Sequence, residues 1–127
     1  AIRSSDVVAI APSNPVVSIG PLLAVRGVRD ALRETGATVV GVSPIIGGKT
    51  IKGPADRMMA SLGMTPTAAG VAEAYRDFLG VLVIDEEDRG LAEQVAATGV
   101  RCVVAQTIMR GPDEKRALAQ VVLGAVQ

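Results

Sequence analysis

Histidine and tryptophan are absent from these 127 residues, and cysteine, tyrosine and phenylalanine occur once each. Without an imidazole the chain holds no Ser–His or Cys–His relay and no histidine metal site. The lone Cys102 has no partner for an internal disulfide and suits a reducing cytoplasm. It lies in the apolar run Val100 to Ala105, where a small core residue is favoured over a nucleophile. Two aromatic rings make no stacking platform for single-stranded bases, and 13 basic residues balance 13 acidic ones. Neither feature provides the basic field that draws nucleic acid. A membrane span takes about 20 apolar residues in a row, and no such run occurs. The opening Ala1-Ile-Arg-Ser-Ser-Asp6 lacks the basic head and apolar core of a secretory leader. A cytoplasmic location is therefore expected. With no initiator Met, the chain reads as a piece of something longer. Its chemistry is left to carboxylates, Lys, Arg, hydroxyls, backbone amides and a hard metal.

What is present is apolar: 49% of the residues are hydrophobic, enough for a sizeable core. Val7 to Ala11 is a short apolar run stopped by Pro12, which predicts a buried strand. Ser18 is a candidate cap for a helix carrying Pro21 in its first turn. Leu22, Val25, Val28 and Leu32 recur at helical spacing, Gly27 is a candidate break, and Gly36 a candidate C-terminal cap. Val39–Val42 predicts the second strand. Pro54 to Leu62 then predicts a helix ended by Gly63. Thr67 is expected to cap another, with Ala68, Val71, Ala72, Tyr75 and Leu79 on one stripe. Val81–Ile84 predicts a third strand, Leu91 to Ala96 a helix, Val100–Ala105 a fourth strand and Asp113–Val126 a final helix. Strands that alternate with helices, and are apolar without alternation, predict a parallel sheet covered on both faces. The whole of 1–127 reads as a single α/β lobe.

In open parallel sheets, ligands bind beyond the carboxyl ends of the strands. The unusual polar residues fall there: Ser13-Asn14, then Ser43 to Lys52, then Asp85, then Gln106-Thr107. The segment Ser43-Pro-Ile-Ile-Gly-Gly-Lys-Thr-Ile-Lys-Gly-Pro-Ala-Asp-Arg57 gathers three glycines, two lysines and an arginine. A Gly-rich turn after a strand lets backbone N–H groups approach an anion, and lysines add charge. Phosphate binding competes here with an ordinary surface loop. Ser13-Asn14 before Pro15 serves either ligand contact or a plain turn. Asp56 and Arg57 serve either contact or the first turn of a helix. Asp85-Glu-Glu-Asp88 reads as a solvated acidic helix start sooner than as a metal cluster. Neither G-x-x-x-x-G-K-[ST] nor G-x-G-x-x-G is complete.

Ala11-Pro-Ser-Asn-Pro-Val-Val-Ser-Ile-Gly-Pro-Leu-Leu-Ala-Val25 and Ser43 to Met59 together resemble the 2-phospho-L-lactate transferase family. Gly70-Val-Ala-x-x-Tyr-Arg-Asp77 and Val83-Ile-Asp-Glu86 match it too, in register along the whole chain. The resemblance implies a Rossmann-like three-layer αβα fold with a mostly parallel sheet, this chain being its C-terminal portion and part of a larger domain. It implies coenzyme F-420 biosynthesis. In that reaction a 2-phospholactyl or phosphoenolpyruvyl group passes from a guanosine diphosphate-linked donor to the ribityl hydroxyl of the deazaflavin Fo, with release of GMP. Magnesium (Mg2+) as cofactor, a homodimer and an N-terminal half that is missing here are also implied. Carried over by position, Ser13, Asn14, Ser18 and Gly20 face the donor, Gly47 and Gly48 lie at the same cleft, and Lys49 and Lys52 are the catalytic cations; Asp56 and Arg57 join them only as the loop's own candidate contacts. The catalytic base and the metal ligands are expected outside this chain. The alternatives are a regulatory protein of related fold that binds nucleotide-sugars without chemistry, and a dimerisation lobe packed through Tyr75 and Phe78.

Overall fold

The computed structural model describes residues 1–50 and 53–126. Four parallel strands form the sheet in the order β1 (Val7–Ile10), β2 (Thr38–Val42), β5 (Val81–Asp85) and β6 (Arg101–Ala105). Register runs Val8 to Val39, Val40 to Val81 and Leu82 to Cys102. Each crossover moves one strand along in the same direction. Right-handed crossovers of that kind leave their helices on one face.

That face carries most of the core. Leu32 of α2 (Val28–Glu34), Met59 of α3 (Ala55–Ser61), Val71 and Tyr75 of α4 (Ala68–Tyr75) and Val95 of α5 (Ala92–Ala97) close over Val39, Leu82 and Ile84. The alternate residues Val40, Val42, Val81 and Val83 point the other way, onto Leu118 and Val122 of α6 (Pro112–Gly124). This is the expected αβα sandwich with uneven covers: several helices on one face, one on the other. Arg101 and half-buried Cys102 lie on the outer strand β6, and the Cys102 thiol, packed against the core, is pushed up by burial.

Several helix boundaries follow the residues that foreshadowed them. Gly27 (φ 86°) separates α1 (Gly20–Ala24) from α2, and Gly63 (φ 76°) follows α3. The Thr67 hydroxyl caps α4 by accepting from Gly70 N–H at 3.2 Å. Two expected caps are displaced. Ser18 is exposed inside a wide helical turn, Pro15–Ile19, whose cap is Asn14. Pro15 has no N–H to satisfy at that first position, and Asn14 Oδ1 reaches Val16 N–H (2.8 Å) and Val17 N–H (3.3 Å). At the end of α2 the cap is Thr35 rather than Gly36.

The larger departure is at the Gly/Lys segment. It is a β-hairpin rather than a loop: β3 (Ile45–Ile46) pairs antiparallel with β4 (Lys49–Thr50) across Gly47 and Gly48. Both glycines have positive φ (61° and 78°), which a two-residue hairpin turn of this hand demands. Tyr75 and Phe78, expected at a partner surface, are only 4% and 7% exposed and pack inside this chain, their rings 5.4 Å apart.

Candidate functional site

A cavity of about 280 Å³ opens at the carboxyl end of the sheet. Pro12 and Asn14 follow β1, Ser43, Pro44 and Ile46 follow β2, Thr50 comes from the hairpin, and Thr107, Ile108 and Met109 follow β6. This is where a doubly covered parallel sheet leaves its strand ends and loops accessible. Its walls are apolar with four polar side chains, and no charged side chain lines it among the described residues.

Each polar side chain is locked. Asn14 caps its helical turn and turns its amide toward Met58 Sδ at 3.5 Å. Ser43, 1% exposed, donates to Ile45 O and accepts from Ile45 N–H, both at 3.2 Å. Thr50 Oγ1 donates to Asp56 at 2.9 Å and accepts from Asp56 N–H at 3.0 Å, which ties β4 to the start of α3. That hydroxyl is the main reason the Asp56 carboxyl sits below its ordinary value. Thr107 donates to Asp85 through both its N–H and its Oγ1, each at 2.9 Å.

The acidic turn after β5 is not a solvated helix start throughout. Glu86 and Glu87 are exposed, but Asp85 and Asp88 are 4% and 6% exposed. Asp85 also accepts from Glu87 N–H at 3.0 Å. Burial opposes its charge, and the Thr107 and Glu87 bonds outweigh that opposition, so its carboxyl lies below the usual value. Asp88 accepts Gly47 N–H with both oxygens, at 3.1 and 3.2 Å. Burial and the neighbouring Asp85 charge push its carboxyl up despite that bond. One acidic turn thus fastens two walls of the cavity, the hairpin through Asp88 and the β6 tail through Asp85. Asp85 is occupied by backbone and hydroxyl donors, and Asp88, among the described residues, by the Gly47 N–H alone. Among the described residues no three carboxylate or thiol side chains gather as a metal site.

The predicted residues are only partly united. Asn14 lines the cavity, and Asp56 reaches it through Thr50. Ser13 is half-buried, its N–H bonded to Ala11 O at 2.7 Å. Gly20 borders a second cavity with Arg29 and Tyr75, and a Cβ there would meet Pro15 O at 2.9 Å. Gly47 and Gly48 form the hairpin tip, Lys49 and Arg57 are exposed, and Lys52 lies outside the described residues. Sequence reasoning passed over Ile108 and Met109, and met Pro12 and Thr50 only as members of the longer segments 11–25 and 43–52. The strand-end rule that flagged Thr107 also covers its two followers, while Thr50 needed the hairpin.

The family model described as 2-phospho-L-lactate transferase CofD matches residues 1–122. The chain belongs to that family. A Streptomyces griseus protein named phosphoenolpyruvate transferase is 44% identical over 124 residues, covering 97% of this chain and 39% of its own length. A Methanothermobacter thermautotrophicus protein named 2-phospho-L-lactate transferase is 41% identical over 126 residues, covering 99% and 40%. This member of the CofD family thus spans about two fifths of the length of such relatives. In fold it is similar to a Bacillus halodurans protein of the UPF0052 family, with TM-score 0.61 and 18% identity over 96% of this chain and 44% of that one. Among its described residues no helix is long and apolar enough to cross a membrane.

Proposed function

We propose that this chain is the C-terminal lobe of a transferase of coenzyme F-420 biosynthesis. The lobe contributes part of the cleft that holds a guanosine diphosphate-linked donor. The observation that carries the reading is the CofD family match over residues 1–122, and the strand-end cavity gives it a place to act. The reaction is displacement at phosphorus. The terminal ribityl hydroxyl oxygen of Fo bonds to the phosphorus that carries the lactyl or enolpyruvyl group. The bond from that phosphorus to the GMP oxygen breaks, and the hydroxyl proton passes to a base. Catalysis of this kind is mostly alignment and neutralisation of charge. Lys49 is exposed on the hairpin that borders the cavity; it is assigned to the diphosphate, and Lys52 is assigned the same role. Mg2+, the base and the bulk of the acceptor site are assigned to the longer protein, which also carries the homodimer contact and works in the cytoplasm.

The test uses the full-length protein with donor, Fo and magnesium. Release of GMP with formation of the phosphodiester is expected. Lys49→Ala is expected to lower turnover at least tenfold, about 1.4 kcal/mol of transition-state stabilisation. Arginine there should restore only part, because its planar fork is not a point charge. Wild-type kinetics in a variant with both lysines changed to Ala would remove the hairpin from the mechanism. Donor binding without any transfer would favour the nucleotide-sugar-binding alternative.

A further inference from the structure

Gly47, the first residue of the hairpin tip, is held by a side chain 41 positions away. Asp88 is 6% exposed and accepts the Gly47 N–H with both carboxylate oxygens, at 3.1 and 3.2 Å. The tip also lies close against the acidic turn: a Cβ on Gly47 would come within 2.9 Å of Glu87 Oε1. A hairpin this short does not fix itself. Its strands have two residues each, and its turn is a pair of glycines, which restrain the backbone least. The Thr50–Asp56 pair secures the far end of β4 and leaves the tip to Asp88. Ile46 precedes the tip, Lys49 follows it, and the two stand directly opposite in the register. Opposite residues of an antiparallel pair share a side, and Ile46 lines the strand-end cavity. Where Lys49 stands at that cavity thus depends on where the tip is held.

Packing alone does not account for an acid at this position. Burial and the Asp85 charge both work against the Asp88 carboxylate, and a buried charge without a cationic partner is a poor source of stability. Residues that break a local rule of this kind gather at functional sites. We propose that Asp88 is a positioning residue for group transfer: by holding Gly47 it sets the place of Lys49 relative to the cavity. It acts through Lys49 and touches no reacting atom. The role of Lys49 rests on the transferase reading above; the hold of Asp88 on the hairpin does not. A misplacement of roughly 1 Å in a positioned group can cost about a hundredfold in rate, so a tip released from Asp88 has consequences at the site even in a folded protein.

The experiment compares Asp88→Ala, Asp88→Asn, Lys49→Ala and the Asp88→Ala/Lys49→Ala double variant in the full-length protein, assayed well below their melting temperatures. Asp88→Ala is expected to lower kcat/KM about tenfold, as Lys49→Ala does, and the double variant no further, because both changes remove one function. Independent roles would multiply to about a hundredfold. Asp88→Asn keeps an acceptor for the Gly47 N–H and should restore most of the loss. If the alanine variant does not fold, Asp88→Ser, whose shorter side chain gives up the reach to Gly47, is read in the same way. Inorganic pyrophosphate, titrated by calorimetry, reads the placement without the reaction: both single variants and the double variant should weaken it to the same degree. Unchanged kcat/KM in a folded Asp88→Ala protein, or losses that multiply in the double variant, overturn the proposal while the transferase reading stands. A wild type that transfers no group overturns the functional reading. Equal pyrophosphate losses then uphold the positioning role by themselves, and losses that multiply overturn it as well.

Discussion

Tyr75 is the residue whose chemistry fits its surroundings least. Its ring packs on Phe78 in the core, yet its hydroxyl is buried without a hydrogen-bond partner among the described residues. Burial pushes its pKa up, against the pull of the nearby Arg29 charge. Arg29 is not free to help. It lies over the Phe78 ring, 5.3 Å from its centre, and holds Asp77 through two bonds of 2.7 Å. That pairing, with Arg33 joining at 2.9 Å, keeps the Asp77 carboxyl down at about 2. A buried polar group with no partner costs roughly 1–3 kcal/mol in desolvation. Tyr75→Phe keeps the ring and removes the hydroxyl. It is expected to leave stability unchanged or raise it by about 1 kcal/mol, read from urea denaturation. A loss of stability would show that a hidden partner, such as a bound water, satisfies the hydroxyl.

The hairpin of β3 and β4 is too short to hold itself. Two-stranded hairpins are marginal alone in water. This one is pinned at its tip by Asp88 and at its far strand by the Thr50–Asp56 pair. The Asp88 acceptor matters and its charge does not help: burial and Asp85 push the carboxyl up, so ionising it costs more in the fold than in the unfolded chain. Asp88→Asn retains an acceptor for Gly47 N–H and sheds the buried charge. Asp88→Ala retains neither. The alanine variant is expected to lose about 1–2 kcal/mol and to speed exchange of the Gly47 amide proton. The asparagine variant is expected to match or exceed the wild type in the same denaturation measurement. If both variants lose equally, the carboxylate charge itself holds the hairpin.

At the scale of the molecule, one sheet face lies under several helices and the other under α6 alone. Edge strand β1 is only partly buried, and Ala9 on it is exposed. Val17, Leu22 and Val25 are 53–58% exposed along one segment. Such edges and apolar residues invite association. The chain spans 39–40% of the length of its named relatives. Group transfer needs donor and acceptor held with reacting atoms about 3–3.5 Å apart. The isolated 127-residue chain is therefore expected to release no GMP with donor, Fo and magnesium, and to elute from a sizing column above its 13.0 kDa. Robust turnover by a monodisperse monomer would show that this lobe carries the whole reaction.

The sequence by itself determined the four strands of the parallel sheet, most of the helices and the end of the sheet where the cavity opens. Those features follow from short-range causes: apolar runs such as Val81–Ile84, a capping Thr67, and breaks at Gly27 and Gly63. Its motifs also determined the family. The tertiary structure decided what the polar residues do, because their partners are far away in the chain. Asp88 meets Gly47 across 41 positions and Asp85 meets Thr107 across 22. No local pattern distinguishes those two buried acids from the exposed Glu86 and Glu87 between them. Among the cavity hydroxyls the same holds for Thr107, whereas Ser43 and Thr50 turn to partners two and six positions on, Ile45 and Asp56.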